Sequence, residues 1–135
     1  MQNFWEITNW ERDDRHLAGL RNASFQRSMP RVDFTPGLHF IRGPRQIGKS
    51  TLLKSVLAKA CSDSRIGSDQ VFFASCETIP NYMELAALLK SVERRRVICL
   101  DEISFVDEWW RAVKHFLDTS TLQHCVILTG SHTHD

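Results

Sequence analysis

No two of the four cysteines (Cys61, Cys76, Cys99 and Cys125) stand in a C-x-x-C pair, so the spacing of a zinc ribbon is absent. No apolar run approaches the roughly 20 residues that a membrane span needs. The opening MQNFWEITNWERDD carries acidic residues where a signal peptide needs an apolar stretch. Repeats and low-complexity tracts are missing too. The net charge is only +1, so no whole-chain field draws the protein to nucleic acid or to an anionic membrane. A local basic patch stays open. These absences leave a reduced, cytoplasmic protein with no membrane partner as the expectation.

What is present suits one compact domain. Apolar residues make up 42 % of the 135, too many for disorder and ordinary for a globular chain of this length. Cys76, Cys99 and Cys125 each sit in an apolar run and read as small buried hydrophobes. Residues 1–36 are the least regular, with a short helix opening at Asp13–Leu17 and turns at Pro30 and Pro36-Gly37. From there the pattern alternates. Leu38–Arg42 reads as a strand, and Lys49–Cys61 as a helix with Leu52, Leu53, Val56, Leu57 and Ala60 on one face. Val71–Cys76 is a second strand. Asn81 caps a helix running to about Glu93. Val97–Leu100 is a third strand, Asp107–Asp118 a helix with Trp110, Val113, Phe116 and Leu117 inward, and Cys125–Leu128 a fourth strand. Continuous apolar strands alternating with helices predict an α/β fold with a parallel sheet covered on both faces. Ligands of such sheets bind beyond the carboxyl ends of the strands.

The segment after the first strand, Gly43-Pro44-Arg45-Gln46-Ile47-Gly48-Lys49-Ser50, fits G-x-x-x-x-G-K-[ST]. Gly43 and Gly48 let the backbone turn and approach phosphate, and the N–H groups between them face one concavity. The helix beginning near Lys49 adds the positive end of its dipole. Lys49 can reach terminal phosphates, Ser50 can ligate Mg²⁺, and Thr51 can touch an inner phosphate. After the third strand come Asp101 and Glu102, on the same sheet edge. Asp101 can serve the Mg²⁺ shell, and Glu102 can orient and deprotonate an attacking water. After the fourth strand, Ser131, with Thr129 as second choice, can bond that water or the terminal phosphate. Ser75, Cys76 and Glu77 end the second strand beside the acidic pair, where a polar group could restrain Glu102.

Other candidates weigh less. His124, His132, His134 and Asp135 lack the ligand set of a metal site, and a solvated tail explains the last three better. Trp5 and Trp10 either pack over a nucleotide base or brace the domain. Arg94–Arg96 read as a solvated helix end. A guanine-specific enzyme would need D-x-x-G and Asn-Lys-x-Asp, and a small-molecule kinase an arginine-rich lid; none is found. The Asp-Glu pair favours water as the nucleophile.

RGPRQIGKSTLLK, ICLDEISFVDEWWRAVKHFLD and VILTGSHTHD together resemble the AAA-type ATPase domain of a large bacterial and archaeal family, as does Asp14-Arg15-His16-Leu17. The resemblance covers most of residues 14–135. It implies a P-loop NTPase three-layer sandwich of the additional-strand, catalytic-glutamate type, with strand order 5-1-4-3-2. It also implies ATP, Mg²⁺, and the roles above for Lys49, Ser50, Asp101, Glu102 and Ser131. Ser50 stands where the family more often has threonine. The sequence stops at Asp135, before a fifth strand, an arginine finger or a C-terminal domain. A truncated core at 37–135 behind an N-terminal segment at 1–36 is therefore expected, with the first strand at an edge. The leading expectation is a Mg-dependent ATPase module that switches a partner or an appended domain, with a homo-oligomer or a protein partner open. The alternatives are a nucleotide-binding fragment without useful turnover and a nucleic-acid module using Arg94–Arg96, Arg42 and Arg45.

Overall fold

A computed structural model describes residues 3–6, 10, 33–41 and 48–130. Along them run β1 (Gly37–Phe40), α1 (Lys49–Ser62), β2 (Val71–Ser75), α2 (Tyr82–Ser91), β3 (Val97–Asp101), α3 (Trp109–Thr119) and β4 (Cys125–Leu128). The strands form one parallel sheet in the order β1-β4-β3-β2. That order is 1-4-3-2 of the expected topology, and β1 is an edge among the described residues. The fifth strand is not among them.

Because the ladders are parallel and in register, alternate residues of all strands share a face. Val71, Val97, Cys99, Cys125 and Ile127 pack with Leu52, Leu53, Val56, Leu57 and Ala60 of α1. The other face sets Ile98, Leu100, Val126 and Leu128 against Leu85 and Leu89 of α2 and Val113 and Phe116 of α3. This is a three-layer α/β sandwich. The α1 stripe read from the sequence is the buried one. On β1 the second face is barely covered: Leu38 is 43 % and Phe40 40 % exposed. Phe40 meets Trp109 edge-on at 5.6 Å.

The helices begin where local chemistry allows. Asn81 caps α2 as expected, its side chain accepting the Glu84 N–H at 3.1 Å. α3 starts two residues later than the pattern suggests. Asp107 forms a bridge with Asn81, and Glu108 takes a left-handed conformation (φ 53°) before the helix winds. Val113, Phe116 and Leu117 face inward as expected. With Trp109 and Ala112 they form a stripe spaced as i, i+3, i+4, i+7 and i+8. Trp110, expected inward, is one position off that stripe and 56 % exposed.

Cys76, Cys99 and Cys125 are buried as expected, and Cys61 is half-buried. Burial pushes the Cys76 thiol up to about 12, with the Asp101 carboxylate adding to the shift. Burial and the Asp33 charge push Cys125 up to about 12, and burial raises Cys99 as well. All three stay protonated at pH 8, so a thiol titration of the native protein should modify Cys61 first and the other three only after denaturant is added. In the core, Leu57→Ala should lower unfolding free energy by about 2–5 kcal/mol in a urea titration, since it opens a cavity at a fully enclosed site.

Candidate functional site

α1 begins at Gly48, whose backbone (φ 83°) favours glycine and turns the chain into the helix. Its first turn presents Lys49, Ser50 and Thr51, with their N–H groups at the positive end of a 14-residue helix. The Lys49 ammonium donates to the Gly130 carbonyl at 2.6 Å. On the neighbouring strand, the Ile41 N–H donates to the Leu128 carbonyl at 2.9 Å, so β1 stays joined to β4 up to the point where the phosphate-loop sequence departs. The start of α1 and the exits of β1 and β4 therefore meet at one corner.

The acidic pair reaches the same corner through β3. Leu100 lies opposite Leu128, and the Thr129 N–H donates to the Leu100 carbonyl at 3.1 Å, which brings Thr129 beside Asp101. The Thr129 hydroxyl donates to Asp101 Oδ1 at 2.5 Å and accepts the Glu102 N–H at 3.0 Å. The Ile103 N–H donates to the Thr129 carbonyl at 2.8 Å. Asp101 is 7 % exposed, and its own carbonyl accepts the Cys76 N–H at 2.8 Å. Glu102 adopts a left-handed conformation (φ 57°, ψ 48°), a state that costs an L-residue roughly 1–2 kcal/mol. It is held there by bonds on both of its flanks.

Of the residues singled out from the sequence, the structure joins Lys49, Asp101, Glu102 and Thr129 through direct bonds or a shared strand end. Ser50 and Thr51 follow Lys49 in the first turn of α1. Gly43, Pro44, Arg45, Gln46, Ile47 and Ser131 lie outside the described residues. So do Asp13–Leu17 and Arg42. The Thr129 hydroxyl, read as a second choice for water or phosphate, is instead committed to Asp101 and Glu102. The signal for that was available once the register was known: the residue after Leu128 must face the residue after Leu100. Ser75 stands opposite Asp101, and its hydroxyl accepts the Glu77 N–H at 3.5 Å, a weak contact.

The opposite, amino edge of the sheet holds the groups that belong to the fold. The Trp5 indole donates to the Val71 carbonyl at 2.9 Å, at the far end of β2 from Asp101. Trp5 and Trp10 are both in the core beside α1, joined through Phe4. Arg95 donates to the Asp69 carbonyl at 2.6 Å and the Val71 carbonyl at 3.2 Å, and Arg96 to the Arg65 carbonyl at 2.8 Å. Arg94 and Arg96 are exposed, as expected of a solvated helix end, and Arg95 and Arg96 also clamp the turn before β2. His124 is 2 % exposed, its ring between the Ser120 hydroxyl (2.6 Å) and the Arg95 carbonyl (2.7 Å). A carbonyl only accepts, so Nδ1 carries a proton and donates to the Arg95 carbonyl. A groove of about 480 Å³ between α2 and α3, with Ala86, Lys90, His115 and Ser120 on its walls, contains none of the carboxyl-edge residues.

Ser50 and Asp101 offer hard oxygen donors, and no cluster of three or more His, Cys, Asp or Glu exists among the described residues. Hard oxygen donors of this kind would suit Mg²⁺.

Arg95→Ala should lower stability by about 1–3 kcal/mol, the value of hydrogen bonds from a charged donor, while nucleotide affinity stays within about threefold of the parent. Denaturant titration and nucleotide titration of the same variant check both halves.

The sequence profile of the AAA domain family matches residues 36–135. No curated protein and no solved structure gives a significant match.

Proposed function

The chain belongs to the AAA domain family, and from that premise we propose that it binds ATP with Mg²⁺ and hydrolyses the terminal phosphate bond. The nucleotide state would switch a partner protein, a second copy or an appended domain. The observation that carries this reading is the 2.6 Å bond between Lys49 and the Gly130 carbonyl. It brings the start of α1 against the strand ends that bear Asp101 and Glu102, so three motifs far apart in sequence share one corner.

In this reading the Gly43–Gly48 backbone and the first N–H groups of α1 wrap the phosphates, with Pro44, Arg45, Gln46 and Ile47 forming the rim. Lys49 neutralises the terminal phosphate, and Thr51 touches an inner one. Ser50 and Asp101 would hold Mg²⁺, whose part is to neutralise charge on the phosphate oxygens. Glu102 orients water and accepts its proton as the water oxygen bonds the terminal phosphorus and the bond to the ADP oxygen breaks. Ser131 contacts the water or the terminal phosphate. Water exclusion and orientation come from the strand ends, which are buried at Asp101 and Thr129. No helix among the described residues is long and apolar enough to cross a membrane.

Lys49→Ala should weaken ATP binding and lower turnover by about 10²–10³, the range for removing a preorganised electrostatic donor. Glu102→Gln should keep ATP affinity within a few-fold and lower phosphate release by about 10²–10⁴, the range for general-base loss. Phosphate-release assays and fluorescent-nucleotide titrations measure both. Turnover unchanged in Glu102→Gln would remove the assigned base. Binding without release in the parent protein would leave a nucleotide-binding unit as the function.

A further inference from the structure

The geometry points to Thr129 as a positioning residue that sets the Asp101 carboxylate and the Glu102 main chain relative to each other; this rests on the ATP-hydrolysis reading above. A hydroxyl has one proton to give and two lone pairs with which to accept. The Glu102 N–H can only donate, so the Thr129 oxygen accepts from it at 3.0 Å. Its single proton then goes to Asp101 Oδ1, at 2.5 Å. The directions of both bonds follow from the chemistry of the partners. Thr129 is 1 % exposed, so water cannot take over either bond without rearrangement.

Each bond has a separate consequence. With Oδ1 committed to Thr129, the carboxylate of Asp101 cannot rotate freely, and Oδ2 is the oxygen left to serve a cation shell. The second bond acts on the candidate base. Glu102 sits in a left-handed conformation that L-residues avoid. The bonds to its own N–H and to that of Ile103 both end on Thr129. One residue therefore orients a metal ligand and the residue that handles the water. It does so without touching phosphate, metal or water itself. The β-branch of threonine narrows its χ1 choices, which helps keep the hydroxyl between the two partners.

The test compares Thr129→Val, which keeps shape and removes the hydroxyl, with Thr129→Ser, which keeps the hydroxyl. Three quantities are read in the full chain: affinity for a fluorescent ATP analogue in EDTA, the Mg²⁺ concentration for half-maximal effect on that affinity, and kcat against KM. Thr129→Val should keep metal-free nucleotide affinity within about threefold, raise the Mg²⁺ requirement by about 10–100-fold, and lower kcat more than it raises KM, as is usual when an outer-shell partner of a ligand is lost. Thr129→Ser should return all three to within about threefold of the parent, on the same scale. Thr129→Ala, which keeps the backbone bond to Ile103, serves if Thr129→Val does not fold, with the same expected pattern. The proposal is overturned if the hydroxyl-free variant keeps its Mg²⁺ requirement and kcat. It is equally overturned if metal-free affinity falls in parallel, or if serine fails to rescue. A parent protein showing no Mg²⁺-dependent nucleotide binding would sink the functional reading, and this proposal with it. Parent binding with an unaffected Thr129→Val would sink the proposal alone.

Discussion

Leu100 lies opposite Leu128 in the β3–β4 ladder, and the next residue on each strand inherits that alignment. Asp101 therefore meets Thr129, Glu102 hangs from the Thr129 hydroxyl, and the following residue, Gly130, receives Lys49 from α1. A one-residue slip would turn every β4 side chain to the other face of the sheet. It would bury Val126 and Leu128 on the α1 side and remove the partner of Asp101. The four enclosed residues of β4 make that slip costly, so the apolar core and the polar corner are held by one register. Packing energy from the interior is what holds the polar groups at the edge.

The two edges of the sheet divide the labour. Carboxyl ends carry groups whose partners are other polar groups of the corner. Amino ends carry Trp5, Arg95, Arg96 and His124, whose partners are mainly backbone carbonyls of the fold itself. Charge near an edge is thus a poor guide to a ligand. In Arg94-Arg95-Arg96, the densest basic run in the sequence, two of the three guanidinium groups, those of Arg95 and Arg96, bond the turn before β2.

How much could be read beforehand depended on the range of the interaction. Continuous apolar runs located all four strands to within two residues, and β4 matched at both ends. The Asn81 cap was legible because it is local. The α3 stripe was legible at Val113, Phe116 and Leu117, but its start was read two residues early because that depends on the Asp107–Asn81 bridge and on the left-handed Glu108, neither of which leaves a trace in helical periodicity. Lys49, Asp101 and Glu102 were recognisable from motif and strand-end logic, and the structure brings them to one corner. Thr129 was singled out for water or phosphate, but its bonds to Asp101 and Glu102 appear only with the register, and the Gly130 carbonyl was not legible because a backbone acceptor has no sequence signature. Gly43–Ile47 and Ser131 remain readings from the sequence.

β1 is paired on one side only among the described residues, whereas β3, which bears the acidic pair, is clasped on both. The corner thus joins a compliant support to a stiff one. A sideways load on β1 strains a single ladder, while the same load on β3 must work against two. The exposed Leu38 and Phe40 lie on that singly paired strand.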